Sequence, residues 1–315
     1  MKHVNGRSGE ASTGAAILGL VLAALGGCSK QESATPPTSA VVKPAAPTGD
    51  QLLGATVAGV FDAPVTLTAG VYEGPPAQAG AASRPTLKLW ESTIEFVDVD
   101  GAPPAEGVAL LTSSEGGSGT YSHLGVFSLQ DGKATTLGVA PLGDRVQLFR
   151  LWHEPGKVLL DVVEPGPGDA SCCPTTLSRK AFGWKDGKLQ QLSSDAVGGL
   201  SINLLAATDW MLVEMDGQPL PSGAMPPTTL IQYGKAAGFS GCNRYTGPIT
   251  EPAPGNVKIG ELAVTQKACD AAANEIEAAF LERMRATTAY QFQAGRLLLV
   301  APQGDRPTRT LLFSR

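Results

Sequence analysis

Between residues 51 and 194 the chain never runs far before it meets a breaker. Short stretches rich in Val, Leu, Phe and Thr recur at Val65–Thr68, Thr93–Val99, Val108–Thr112, His123–Leu129, Val146–Trp152 and Val158–Val163. Each is bounded by Gly, Pro or Asp. Runs of this length and chemistry, punctuated this way, are strands. Asp131-Gly132 and Asp186-Gly187 sit between such runs. They mark hairpins, because a two-residue hairpin turn needs positive φ at both positions and Asp-Gly tolerates it. Val158–Val163 is apolar almost throughout, as expected of a strand covered on both faces. No helical period competes with these signals, so residues 51–200 are expected to form an antiparallel β domain. The pattern leaves sandwich and barrel open. Composition agrees: 38 Gly, 24 Pro and only 17% charged residues suit a turn-rich β protein.

The pattern changes after Leu205. Strand-like pieces recur at Trp210–Glu214, Thr229–Tyr233, Val257–Leu262 and Arg296–Val300, and one helix is predicted from Asp270 to Thr288. Ile276, Phe280 and Met284 fall four apart, with Ala273 extending the stripe. That spacing puts them on one helix face, which reads as core. Asp270 near the start and Arg283 and Arg285 near the end complement the helix dipole. The chain is therefore mainly β (α+β). Ser194–Asn203, with Gly198-Gly199, reads as the linker between two domains.

The N-terminus carries an address. Lys2 and Arg7 precede an apolar run from Ala15 to Leu25, too short to span a bilayer, and Leu25-Gly26-Gly27-Cys28 follows. This pattern resembles a bacterial lipobox. It implies a signal peptide over residues 1–27, lipidation at Cys28, and a chain anchored to a membrane by its acyl groups. Asp after the Cys resembles an inner-membrane retention signal. Ser29 stands there instead, so the expected location is the bacterial cell envelope, at the outer membrane facing the periplasm. Residues 28–50, rich in Pro, Ala, Ser and Thr, read as a disordered tether. Fully extended, such a stretch reaches roughly 60–70 Å.

The net charge is −5, and losing Lys2, Arg7 and Glu10 with the signal makes the exported chain more negative by a single charge. Without a basic cluster, nucleic acid is not an expected partner. Four cysteines remain beyond Cys28, in a compartment that permits disulfides.

Within the last third, several spaced features occur in order. They are Trp210-x-Leu212, Gly217 and Leu220, then Ser240-Gly241-Cys242-Asn243-Arg244-Tyr245-x-Gly247. Gly260-x-Leu262-Ala263-x-Thr265, Cys269, Phe280-Leu281 and Gly295-x-Leu297-x-Leu299 complete the series. Together they resemble the META domain, the family of HslJ-like heat-shock lipoproteins. Lys267 departs from the pattern, where the family more often carries Met. The resemblance implies, over residues 205–315, a small β-barrel-like fold with one packed helix, in envelope and stress-response settings, and brings no catalytic residues. It also places Cys242 at a strand end and Cys269 before the helix, so a Cys242–Cys269 disulfide is expected. Crossed pairings and buried free thiols are the alternatives. The preceding region resembles a β-rich unit found beside META domains, through Gly116-Gly117-Ser118-Gly119, Leu142-Gly143-Asp144-Arg145-Val146 and Cys172-Cys173-Pro174.

Catalysis has little to draw on. His123 and His153 are the histidines beyond the signal, and His153-Glu154-Pro155-Gly156 reads as a turn. Ser118 and Ser240 sit in glycine-rich runs that miss the last Gly of a nucleophile elbow. Asp98-Val99-Asp100-Gly101 begins like a calcium loop, but Ala102, Pro103 and Pro104 follow and position twelve is Ala109. No metal and no cofactor are expected. Cys172-Cys173 is open to three readings: a vicinal disulfide, two thiols or a soft-metal pair; the last lacks a nearby His. The expected function is that of a non-catalytic envelope lipoprotein that binds a partner or supports stress tolerance. The alternative is a barrel that holds a small apolar ligand or lipid.

Overall fold

The computed structural model describes residues 45–76, 83–170 and 173–315. The expected signal peptide, Cys28, most of the tether and Cys172 lie outside these residues. Both Asp-Gly pairs make the hairpins their φ preference dictates. Asp131 and Gly132 take φ 52° and 78°, and Asp186 and Gly187 take 52° and 72°. The first turn joins Tyr121–Gln130 to Lys133–Asp144, and the second joins Thr176–Lys185 to Lys188–Gly199. The first hairpin continues through Glu106–Ser114 to Thr86–Leu89 and Val71–Glu73, and Lys133–Asp144 borders Thr56–Val57. The second extends through Lys157–Glu164 to Gln147–Glu154 as a four-stranded sheet. Among the described residues pairing is antiparallel apart from one parallel contact, Thr56 with Thr135.

These two sheets form a sandwich. Val108, Leu110, Leu124 and Val126 of the first meet Leu148, Val158, Leu160, Val162 and Phe182 of the second in one buried cluster. The alternate residues Ala109 and Leu111 point the other way, into a second cluster with Leu52, Leu87 and Phe127. Period-two side chains with cover on both faces explain why Glu106–Ser114 is buried along most of its length. Leu52 belongs to a short helix, Gly49–Leu53, whose start Thr48 and Gln51 close with a capping box. The folded region therefore begins before residue 50, the expected end of the tether, because Leu52 needs this helix to reach the core.

The last third closes on itself. Asp209–Met215 pairs with Thr228–Gln232, and the sheet then runs through Lys235–Phe239, Arg244–Ala253, Asn256–Ile259, Ala289–Gln293, Arg296–Gln303 and Arg306–Ser314. The last strand returns to the first, with Leu212 opposite Phe313. This near closure leaves little of the exposed edge of an open sheet. The helix Ala271–Ala286 is capped by the Asp270 carboxylate, which accepts from the Ala273 N–H at 2.8 Å. It buries Ile276, Phe280, Leu281 and Met284, the expected stripe. Phe280 packs edge-on to both Tyr245 and Phe313. With Trp210, Leu212, Leu297 and Leu299 these side chains fill the barrel.

Ser194–Asn203, expected as a linker, is not one. Lys188–Gly199 is a continuous strand paired along Thr176–Lys185. Ile202–Leu205 forms a short 3-10 turn. Leu200 and Leu205 are buried in the barrel cluster, which also contains Val163 and Leu177 from the sandwich. The Glu251 carboxylate fixes the turn, accepting from the Ile202 N–H at 2.8 Å and the Tyr290 hydroxyl at 2.7 Å. Four apolar residues in six, Leu200, Ile202, Leu204 and Leu205, made a solvated linker costly. Across the junction Phe149 packs against Phe292 with the rings tilted and their centroids 4.7 Å apart. Among the described residues no helix is long and apolar enough to cross a membrane.

Candidate functional site

The Ser240–Asn243 turn joins two barrel strands and lies under the first turns of the helix. Gly241 takes φ 110°, and a Cβ there would stand 2.9 Å from Ile276 Cγ2. Only glycine permits both the backbone angle and the approach of the helix. Asn243 is the hub. Its side-chain oxygen accepts from the Lys267 N–H at 2.7 Å and the Thr265 hydroxyl at 2.9 Å, and its amide donates to Glu277 Oε1 at 3.0 Å. Its own N–H donates to Glu277 Oε2 at 2.7 Å, and the Ser240 hydroxyl donates to the same oxygen. Desolvation acts to raise the Glu277 carboxyl. The hydrogen bonds from Ser240, Asn243 and Cys242 outweigh it and hold the group below the usual carboxylate range.

Cys242 is bonded to Cys269, with Cα atoms 6.0 Å apart, so the loop is tied covalently to the segment before the helix. Lys267, the departure from the family pattern, is exposed. What position 267 supplies is its backbone, bonded to Asn243 through N–H and C=O. That contact does not depend on the side chain, which explains why Lys is accommodated.

This locked loop borders a set of adjoining grooves. One, of about 510 Å³, runs between Pro221–Met225, Phe239, the disulfide and Ile276. A second, of about 660 Å³, shares Met225, Phe239, Cys242 and Lys267 and adds Asn243, Arg244 and Thr265. A third, of about 420 Å³, continues from Arg244 and Thr265 along Ala237, Tyr245 and Val264. Met225, at the rim, is 69% exposed. The surface mixes apolar side chains with two cations, Arg244 and Lys267.

The other residues singled out from the sequence are scattered. Ser118 offers its backbone carbonyl to Arg145 and Ser240 is wholly buried against Glu277. His123 bonds instead to Ser113, across the strand pair, at 2.9 Å. Burial lowers the His123 pKa, so the ring is neutral near pH 7. Ser113 is itself buried, and His123 is partly buried beside it. The turn expected at His153-Glu154-Pro155-Gly156 joins two strands but is confined to Pro155-Gly156; His153 and Glu154 still belong to the strand Gln147–Glu154. Asp98 and Asp100 are joined by Glu106, which the sequence did not flag, with carboxylate oxygens within 4.8 Å of one another. All three accept from backbone N–H groups of the Asp98 turn: Asp98 from Gly101 and Asp100 from Ala102 within it, and Glu106 from Val99 across from the next strand. Burial, ahead of the neighbouring aspartates, raises the Glu106 pKa. The vicinal pair cannot be followed past Cys173, because Cys172 lies outside the described residues.

Comparison with known proteins bears on the barrel. Residues 203–313 match the family model of the META domain. None of the curated proteins matches the chain significantly. Among the 19 solved chains that do is an NMR structure of a protein from Burkholderia xenovorans. It is 31% identical, and the alignment covers 36% of this chain and 84% of that one, with a TM-score of 0.30.

Proposed function

We propose that this chain, whose residues 203–313 are a META domain, is an exported, lipid-anchored envelope protein with its barrel as a non-catalytic binding module. Its occupant is an extended segment of another envelope protein, laid along the grooves beside the Ser240–Asn243 loop. The observation that carries this reading is the use made of the loop's polar groups. Ser240, Asn243 and Glu277 spend their hydrogen bonds on one another, so the loop is a rigid rim and has no free nucleophile–base pair. A rigid rim reduces the ordering cost of binding. The grooves adjoin through shared lining residues and open to solvent, which suits a polypeptide segment more than a compact ligand. A lipocalin-like ligand in the lumen is disfavoured, since Trp210, Phe280 and Phe313 occupy it with no exposure.

The test is a photo-crosslinkable residue placed at Met225 in cells expressing the full chain. A discrete protein adduct is expected at Met225. Tyr233, 94% exposed and outside these grooves, serves as the comparison. The same adducts at both positions, or none at either, would overturn the reading. The anchor is tested separately: Cys28→Ala should abolish labelling by radioactive palmitate, and persistent labelling with membrane fractionation would refute lipidation there.

A further inference from the structure

A second concavity lies at the seam between sandwich and barrel, away from the grooves. It is a cleft of about 280 Å³ lined by Arg150, Arg296 and Arg315, with Ser92, Glu95 and Ser314 among its other walls. Three arginines and a single carboxylate, Glu95, are among the lining residues. None of the three is fully spent. Arg150 gives its Nε to Asp161 at 2.7 Å, a carboxylate it shares with Arg179. Arg315 stacks over Phe149 and Trp210 and donates one N–H to the Phe149 carbonyl. Arg296 stands 3.8 Å from Glu214, and its buried Nε has no hydrogen-bond partner. A buried guanidinium N–H left unmatched is costly.

Nearby cations feel this excess. Burial, then the neighbouring Arg150, lowers the Arg315 pKa. Lys88 is also lowered, by burial first and by Arg296, against the pull of Glu214. Like charges drawn together at a seam are stabilised by an anion that spans them.

We propose that this cleft binds a phosphate oxyanion, with Arg150, Arg296 and Arg315 as its ligands. Among the lining residues three arginines stand against one carboxylate, Glu95. Asp161, shared with Arg179, and Glu214 offset part of the charge on Arg150 and Arg296, and the cationic remainder suits a phosphate monoester or inorganic phosphate. At about 280 Å³ the cleft has room for such a group together with water or an ester substituent beside it. Because its walls come from both halves, the bound anion also cross-links sandwich to barrel.

The experiment titrates inorganic phosphate into the full soluble chain at low ionic strength, by calorimetry and by thermal unfolding. Saturable binding and a raised midpoint are expected, weakened at least tenfold by Arg296→Gln and less by Arg296→Lys, which keeps the charge without the fork. Lys258→Gln, an exposed cation on another barrel strand, should bind as the parent does. Near-UV dichroism of each phosphate-free variant confirms folding, and Arg150→Gln gives an independent loss if Arg296→Gln fails to fold. Vesicles of phosphatidylcholine with 10% phosphatidic acid separate the sources. Arg296-dependent capture by them identifies a lipid headgroup, and saturation by free phosphate without capture identifies a soluble ligand. No saturable binding, or equal loss in Lys258→Gln, would overturn the proposal.

Discussion

Replacing Glu277 should release the Ser240–Asn243 loop, and the structure gives the size of the effect. Four donors converge on the carboxylate: the Ser240 hydroxyl, the Asn243 N–H at 2.7 Å, the Asn243 amide at 3.0 Å and the Cys242 N–H. Hydrogen bonds to a charged group contribute about 1.5–3 kcal/mol each. The losses do not simply add, because two donors have fallbacks. The hydroxyl keeps the Asn243 carbonyl at 2.7 Å, and the amide keeps the Lys267 carbonyl at 3.4 Å. The Asn243 N–H is left with a long contact to Ser240 Oγ at 3.3 Å. Discounted further for a half-exposed carboxylate, Glu277→Ala should cost about 2–4 kcal/mol. At about 2–4 °C per kcal/mol, the midpoint should fall by roughly 5–15 °C.

Glu277→Gln keeps an acceptor oxygen and loses the charge, so it should cost about half as much. Its pH dependence is the sharper test. Folding depresses the Glu277 pKa, so the carboxylate's contribution is complete above the ordinary carboxylate range and is lost as pH falls through the depressed folded value. The gap between parent and Gln variant, followed by near-UV dichroism, should therefore be widest at neutral pH and close on acidification. An Ala variant within about 0.5 kcal/mol of the parent, a shift no larger than surface changes give, would refute the argument. So would a Gln gap that is constant with pH.

Opening the Cys242–Cys269 bridge by Cys242→Ser with Cys269→Ser frees a loop of sequence separation 27, costing about 3–4 kcal/mol in chain entropy; denaturant unfolding with and without reductant measures it. Glu106→Gln should stabilise the protein at neutral pH: its folded pKa is raised, so the wild-type carboxyl loses stability as pH climbs through it, and an unchanged denaturation midpoint at pH 7 would count against this. Asp161 is held below the usual range because hydrogen bonds from Arg179 and Arg150 outweigh its burial. Asp161→Asn should cost about 2–4 kcal/mol, short of a fully buried pair because both arginines are partly exposed, with the cost shrinking toward acid pH in thermal unfolding. A fragment beginning at Leu200 should melt well above one beginning at Ala206, since the shorter piece loses Leu200 and Leu205 from its core, each contributing about 1.5–3 kcal/mol; equal midpoints would mean the barrel closes without them.

Features legible in the sequence were those whose cause is local. Asp131-Gly132 and Asp186-Gly187 require positive φ within two residues, and Ile276, Phe280 and Met284 share a face by helical period alone. Residues joined by strand register were not legible. Ser113 meets His123 because Glu106–Ser114 and Tyr121–Gln130 pair in one particular register. Glu106 reaches the Asp98 turn because its strand pairs with Glu95–Val97. The Arg150–Arg296–Arg315 cleft draws on segments more than a hundred residues apart, and no sequence period links them. The one signal at hand was chemical: an arginine in an apolar strand, as Arg296 precedes Leu297–Val300, needs a reason to sit there.

Val158–Val163 shows how far such a signal carries. Its nearly unbroken apolarity required cover on two faces. One cover is the sandwich partner reached by Val158, Leu160 and Val162. On the other face, Val163 enters the barrel cluster, and Asp161 lies buried beneath Arg150 and Arg179, which both stack toward Trp152. Arg150 also lines the cleft that Arg296 and Arg315 of the barrel complete. The strand that covers the sandwich therefore also carries the barrel's contacts, and Asp161 positions one of the cleft's three arginines. A change at Asp161 should thus act twice, on the stability of the sandwich and on the affinity of the seam for phosphate. A distant cavity in the barrel would couple to neither. If Asp161→Asn destabilised the fold while leaving phosphate affinity untouched, Arg150 would be a wall of the cleft without being one of its ligands.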